Sequence, residues 1–221
     1  MDPRELLARL ETLGNPDTAR VLRHHGAQDP VWGVRIGDMK PLIRGVGSDP
    51  VLAQALFESG VYDAMYLAAL VVNGADLSAP TLDRWARLGR GGSIADSTVP
   101  WLAVEHPQAW ELALGWLDSG VDNTALSGWA TLAGLASTLP DSRLDLELLD
   151  RLADRAAQGG QGPVFRGQMG YLVALSVYVQ PLSVRAQGLL GALGDRGEAG
   201  RVAVAKALTR GPIKKRKTMK C

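Results

Sequence analysis

The chain has 221 residues, of which 46% are hydrophobic, and this length is enough to build a substantial buried core. Charged residues make up 21%, and no apolar run reaches the ~20 residues that a membrane-spanning helix needs. A single cysteine, Cys221, excludes an intramolecular disulfide and a cysteine-rich metal site, and it leads us to expect a cytoplasmic protein.

The net charge of +1 hides an uneven distribution of charge along the chain. From Arg201 onward the chain has eight basic residues and no acidic residue. The rest of the chain carries sixteen basic and 23 acidic residues. We therefore predict one helical domain over residues 1–210, followed by a basic C-terminal tail over residues 211–221. The tail suits contact with a polyanion or docking on its own domain, and a solvated, disordered terminus is the alternative. Its cluster of cations is Lys214, Lys215, Arg216 and Lys217.

Helix start and stop signals recur along the chain and predict about twelve helices joined by short loops. Several helix starts combine a capping side chain with a proline one or two positions later: Asp2, Asn15, Asp49 and Ser78. We also expect Asp38 to start a short helix and Ser142 to cap a helix over residues 144–157. No segment has the alternating pattern of a β-strand or the turn of a β-hairpin.

Helices of this length in close succession predict an all-α protein. The architecture we expect is a HEAT-like helical-repeat superhelix, or α-solenoid, of about six antiparallel helix pairs. A compact orthogonal bundle is the alternative. The stretches 62–72 and 171–179 are apolar on nearly all sides, which is typical of helices in an inner layer.

One acid, Asp96, lies among small and apolar residues in the segment from Ser93 to Pro100. Pro100 has no N–H to donate to the carbonyl of Asp96, so a helix through this segment is weakened at the acid. Ser93 and Asp96 have the spacing of a capping box, in which the acid would be a structural residue of the first turn. Asp96 is therefore either part of a helix cap or a chemically active group.

A second segment, residues 33–40, places two glycines around Arg35 and continues with Asp38 and Lys40. Backbone amides at a helix start, together with Arg35 and Lys40, are suited to hold a phosphate. An ordinary loop followed by a helix cap is the alternative. Metal binding has little support, because the few histidines are placed for structural roles: His24, His25 and His106.

Four short motifs occur in an order and at a spacing that resemble the DNA alkylation repair family of AlkD-type glycosylases. They are GVRIGDMK at 33–40, DSTVP at 96–100, His106-Pro107 and Gly170-Tyr171, and the resemblance extends over about residues 15–210. It implies an all-α HEAT-like superhelix that cradles double-stranded DNA and removes purines alkylated at N3 or N7. We expect no cofactor, no metal and no membrane contact, and a monomeric protein.

The resemblance assigns roles to particular residues. Asp96 matches the family's catalytic carboxylate, which would stabilise the developing sugar cation or position water. Tyr171 falls where the family has a tryptophan, and core packing is its alternative role. Two positions depart from the family pattern, since Gly92 replaces an active-site tryptophan and Gly128 replaces a DNA-binding arginine. The nearby candidates for the missing aromatic wall are Trp101 and Trp129.

Phosphate contacts are the expected role of the basic residues in the body of the chain and in the tail. The candidates are Arg35, Lys40, Arg90 and Arg166 in the body and Lys214, Lys215, Arg216 and Lys217 in the tail. Such contacts make DNA binding strongly dependent on salt. The predicted function is DNA binding with hydrolysis of the N-glycosidic bond of alkylated purines. A non-catalytic module for duplex or damaged DNA and a protein-interaction scaffold are the alternatives.

Overall fold

The structure, a computed structural model, describes residues 1–209 of the chain. These residues form thirteen α-helices and one isolated β-bridge, between Ala27 and Gly91, so the predicted all-α class is confirmed. The described chain divides into two compact units, residues 1–112 and residues 113–209. A single domain over 1–210 stays a prediction. The tail cations lie outside the described residues: Lys214, Lys215, Arg216 and Lys217.

The first unit contains seven complete helices. They are α1 (Pro3–Thr12), α2 (Pro16–His24), α3 (Ile36–Met39), α4 (Pro50–Glu58), α5 (Tyr62–Leu70), α6 (Ala79–Leu88) and α7 (Val99–Glu105). Four of them begin as predicted, because a capping side chain accepts a hydrogen bond from a backbone N–H of the first turn. These caps are Asp2, Asn15, Asp49 and Ser78.

The division between the units falls within α8 (Ala109–Leu117). The second unit continues with α9 (Asp122–Thr138), α10 (Leu146–Ala157), α11 (Gly162–Tyr178), α12 (Ser183–Ala192) and α13 (Glu198–Leu208). None of the helices in residues 1–209 combines the length and apolar character needed to cross a membrane.

Two of the predicted helix starts are wrong. α3 begins at Ile36, so Asp38 lies inside its first turn rather than before it. α10 begins at Leu146, where the side chain of Asp145 accepts a hydrogen bond from the N–H of Leu148 at 2.9 Å. Ser142 lies in a short 3-10 turn ahead of this helix, because Asp145 supplies the oxygen that satisfies the first-turn donor.

Each unit has an aromatic core. In the first unit Phe57 and Trp85 stack with their ring centroids 4.1 Å apart and their planes 4° from parallel. In the second unit α11 packs against α9, and the rings of Trp129 and Tyr171 lie 5.4 Å apart between these helices. α5 and α11 are mostly buried, as their apolar sequences predict.

Candidate functional site

Asp96 lies on a π-helical turn, Ile94–Thr98, that leads directly into α7. The N–H of Val99 donates to the carbonyl of Ile94, five residues earlier rather than four. Pro100 accounts for this wider turn, because it gives the carbonyl of Asp96 no donor in the α-helical register. The helix is therefore irregular at the residue where the sequence predicts a weakness.

The predicted capping box at Ser93 is not formed. Ser93 has helical dihedral angles, and its side chain makes no capping hydrogen bond. Its N–H donates instead to the phenolic oxygen of Tyr62, 2.9 Å away. Asp96 is half-buried, and its Oδ1 accepts a hydrogen bond from the hydroxyl of Ser97 at 2.7 Å. The carboxylate is thus partly open to solvent, which a chemical role requires.

Tyr62 is a residue of this site that the sequence did not single out. It stands at the first position of α5 with 3% of its surface exposed. Burial is the main cause that raises the pKa of Tyr62 above its ordinary value, against the lowering effect of the bond from Ser93. The negative charges of Asp96 and Asp63 raise this pKa further. Tyr62 therefore stays protonated beside the turn that carries Asp96.

Gly92 has no room for a side chain. Its φ is +47°, and a Cβ there would lie 2.9 Å from the phenolic oxygen of Tyr62 and 3.1 Å from the backbone nitrogen of Ala27. A tryptophan could enter only if both neighbours moved. In this chain the space next to position 92 is filled by Tyr62, so the aromatic wall expected there is absent.

Gly128 is equally closed, but for a different reason. It lies on α9, where a Cβ would meet the carbonyl oxygen of Ala113 at 2.8 Å and the backbone nitrogen of Leu117 at 3.1 Å. Both atoms belong to the backbone of α8, so the glycine allows the two helices to approach closely. An arginine is excluded from this position by packing within the second unit.

The three aromatic candidates lie in two environments. Trp101 is half-buried on α7, in the unit that contains Asp96. Trp129 and Tyr171 have 1% and 0% of their surface exposed, so neither ring can stack on a nucleotide in this conformation. The hydroxyl of Tyr171 donates to the carbonyl of Leu149 at 2.9 Å, which is the bond expected of a core tyrosine.

The basic candidates differ in whether they are engaged by acids. Arg35 and Lys40 are exposed, and neither forms an ion pair within residues 1–209. Arg44, at the end of the same segment, is also exposed and without an ion pair there. Arg90 is half-buried, with its guanidinium over Gly60, and Arg166 is exposed on α11 in the second unit.

Other arginines of the first unit are already paired with carboxylates. The pairs are Arg20 with Asp17, Arg23 with Asp29, Arg84 with Glu58 and Arg87 with Asp83. Segment 35–44 therefore groups three of the unit's cations that form no ion pair within residues 1–209, and the others without one are Arg4, Arg9 and Arg90. Asp38 is its one acid, which leaves the segment with a net charge of +2.

Within the described part of the chain, no group of three histidine, cysteine or acidic side chains is placed to hold a metal ion. The site consists instead of one partly exposed carboxylate on an irregular turn and, in the same unit, a segment of exposed cations. Such a combination suits an anionic ligand more than a metal.

The thirteen helices and their packing define a HEAT-like helical-repeat fold, and the prediction of this fold is confirmed. A solved structure, described as "A new family of proteins related to the HEAT-like repeat DNA glycosylases with affinity for branched DNA structures", matches with a TM-score of 0.88. The match covers 100% of both chains at 24% sequence identity.

The family described as DNA alkylation repair enzyme matches residues 6–159, and the chain belongs to this family. Two bacterial proteins are similar in sequence to most of this chain. The uncharacterized proteins Lin0241 of Listeria innocua and Lmo0209 of Listeria monocytogenes are each 26% identical over 187 residues, covering 82% of this chain and 82% of the relative.

Proposed function

We propose that this protein binds DNA through its first unit and recognises the shape of the DNA without removing bases. The observation that carries the proposal is the set of three exposed cations in segment 35–44, which form no ion pairs within residues 1–209. Exposed cations that are not neutralised by acids bind phosphates without reading sequence. Membership of the DNA alkylation repair family and the solved neighbour's affinity for branched DNA support DNA as the anion.

Local charge matters here because the unit as a whole is acidic. Residues 1–112 contain ten basic and fourteen acidic residues, so an average surface of this unit would repel DNA. The basic segment concentrates three cations against one acid within ten residues of this unit. A DNA whose phosphates come together at a junction suits such a confined patch, and we therefore expect branched DNA to bind more tightly than linear duplex.

The absence of base removal follows from the surroundings of Asp96. Alkylpurine excision needs the substrate to be held in position next to the carboxylate, and a displaced substrate lowers the rate severely. Position 92 has no space for an aromatic side chain, and Trp129 and Tyr171 are buried in the second unit. Trp101 is the one aromatic candidate that is partly exposed in the unit of Asp96, so these features support a scaffold that binds DNA without most of the aromatic contacts of a glycosylase.

The first experiment measures binding by fluorescence anisotropy. A four-way junction, a linear duplex of the same sequence and a single strand are compared between about 50 and 200 mM salt. We expect the junction to bind most tightly and every affinity to fall as salt rises. No binding at the lowest salt would leave the protein-interaction scaffold as the explanation of the fold.

Hydrolysis of the N-glycosidic bond is the second candidate function. The partly exposed carboxylate of Asp96 on a π-helical turn favours it, because π turns are frequent at functional sites. The test is release of N7-methylguanine or N3-methyladenine from alkylated DNA by wild type and by Asp96→Asn. We expect no release by either and undiminished DNA binding by the variant. Release by wild type that is lost in Asp96→Asn would establish excision instead.

A further inference from the structure

Asp63 is the one acidic residue of the described chain that is fully buried, with 1% of its surface exposed. Its Oδ2 accepts hydrogen bonds from the N–H groups of Trp32 at 2.7 Å and Gly33 at 3.2 Å. Its Oδ1 accepts one from the N–H of Val34 at 2.7 Å. One side chain of α5 thus holds the backbone of three consecutive residues, and hydrogen bonds to an ionised acceptor are among the strong ones.

The same loop is held on its other side by α2. Gly33 has a φ of +81°, and a Cβ there would lie 2.3 Å from the carbonyl oxygen of Asn15 and 2.4 Å from the nitrogen of Ala19. The N–H of Asn15 also donates to the carbonyl of Trp32 at 2.9 Å. Loop 32–34 therefore packs against α2 on one side and is hydrogen-bonded to the carboxylate of Asp63 on the other.

The basic segment begins where this loop ends. Arg35 follows Val34 directly, stands at the cap position of α3, and accepts hydrogen bonds at its carbonyl from the N–H groups of Asp38 and Met39. The direction in which the chain leaves Val34 therefore sets where Arg35 and Lys40 are presented. We propose that Asp63 is a positioning residue for DNA binding, which acts by holding these two cations in place for phosphate contacts. This inference rests on the proposed function.

The sign of the effect separates this role from simple electrostatics. Asp63→Asn removes a negative charge, so electrostatics alone predicts tighter binding to a polyanion. The positioning role predicts the opposite, because an amide that turns its NH₂ toward the loop cannot accept all three N–H groups. We expect junction affinity to fall about tenfold, the scale of coupling between residues of one network.

Asp17→Asn is the matched control, since it makes the same change in net charge in the same unit. The side chain of Asp17 is 82% exposed and pairs with Arg20, and within residues 1–209 it makes no hydrogen bond to loop 32–34. We expect its affinity for the junction to stay unchanged or to rise slightly. Affinity in Asp63→Asn that equals or exceeds that of this control would overturn the inference.

A double-mutant cycle tests whether Asp63 acts through the two cations. In an Arg35→Ala/Lys40→Ala background, Asp63→Asn should lower affinity less than about twofold, because the groups that it positions are gone. A tenfold loss in that background would show that Asp63 acts elsewhere. If Asp63→Asn does not fold, Asp63→Glu replaces it in the cycle, since the added methylene displaces both oxygens while the charge is kept.

Amide hydrogen exchange of the wild-type protein measures whether the hydrogen bonds from loop 32–34 to Asp63 persist in solution. The amides of Trp32, Gly33 and Val34 should exchange far more slowly than those of Gly45 and Gly47 in the exposed loop. Equal exchange rates would overturn the inference whether or not the protein binds DNA. Failure of wild type to bind any DNA removes the proposed function together with this inference, whereas normal binding by Asp63→Asn removes only the inference.

Discussion

The two units use similar residue types for different purposes. In the first unit Asp96 and Trp101 are partly accessible, and Arg35 is exposed without an ion pair in the described chain. In the second unit Trp129 and Tyr171 are buried between α9 and α11. The comparison teaches that aromatic residues predicted to line one site can be fully buried in one unit and only half-buried in the other. We therefore expect DNA contacts in the first unit and structural roles for the aromatic residues of the second.

The largest effect is expected for Trp129→Ala. The ring is buried, packs on Tyr171 and has the guanidinium of Arg155 5.8 Å from its centroid. Removing it leaves a cavity, and we expect the free energy of unfolding to fall by about 3–5 kcal/mol. Urea unfolding measures the change, with the half-buried Trp101→Ala as the control that loses less. Equal losses of unfolding free energy in Trp129→Ala and Trp101→Ala would contradict the difference between the two units.

Gly92→Ala and Gly170→Ala should change stability in opposite directions. The first variant puts a Cβ on a backbone with positive φ next to Tyr62, which we expect to cost about 1–3 kcal/mol. Gly170 is exposed within α11 and has open space around it, so alanine should stabilise the protein by up to ~1 kcal/mol. Thermal unfolding measures both, and a neutral Gly92→Ala would mean that position 92 can accept a side chain after all.

Alkaline pH should weaken the second unit through Tyr171. Burial raises the pKa of this hydroxyl above its ordinary value of 10.0, and the charge of Asp150 adds to the rise. The folded state keeps a proton that the unfolded state loses, so this stabilisation is complete below about pH 10 and is lost as the pH rises further. Tyr171→Phe should lower the free energy of unfolding by about 1 kcal/mol at neutral pH, because the hydrogen bond to the carbonyl of Leu149 is lost.

Urea unfolding at about pH 8 and pH 10.5 measures this dependence on Tyr171. Wild type should lose more stability between the two values than Tyr171→Phe does. Tyr62→Phe serves as the comparison from the first unit, because the pKa of Tyr62 is raised by the same cause. Parallel pH profiles for wild type and Tyr171→Phe would contradict the assignment.

The smallest effect is expected for Arg35→Ala on DNA binding. Loss of one phosphate contact should weaken binding about threefold and reduce the slope of log affinity against log salt by about one. Arg185→Ala is the control from the second unit, because its guanidinium is bonded to Asp150 and Asp154. We expect this control to leave the slope unchanged. A larger change of the slope in Arg185→Ala than in Arg35→Ala would show that phosphates bind to the second unit instead.

Local signals in the sequence were sufficient for much of the fold. The caps at Asp2, Asn15, Asp49 and Ser78 each bond to a donor two or three residues away, so a short stretch of sequence contains the whole interaction. Asp38 was misassigned because the start of α3 depends on the preceding loop, which a residue of α5 holds. Helix starts that rest on such distant contacts leave no local pattern.

The candidate site was predictable only in part, for the same reason. The irregular helix follows from the i,i+4 spacing of Asp96 and Pro100, and the exposure of Arg35 agrees with its position before a helix, whereas the chemical role of Asp96 stays a prediction. The contacts of Tyr62 with Ser93 and of Asp63 with Val34 join residues 29 to 31 positions apart. No spacing rule covers that range, so the sequence alone does not single out Tyr62 and Asp63.

The π turn before Pro100 also changes the rotational phase of the helix. Each residue advances an α-helix by about 100°, and a turn closed over five residues holds one residue more than a turn closed over four. Ile94, which begins this turn, has 0% of its surface exposed. Deleting Ser97 would rotate Ile94 by about 100° relative to α7, away from the core. Asp96 lies within this turn, so its orientation relative to α7 also depends on the one extra residue.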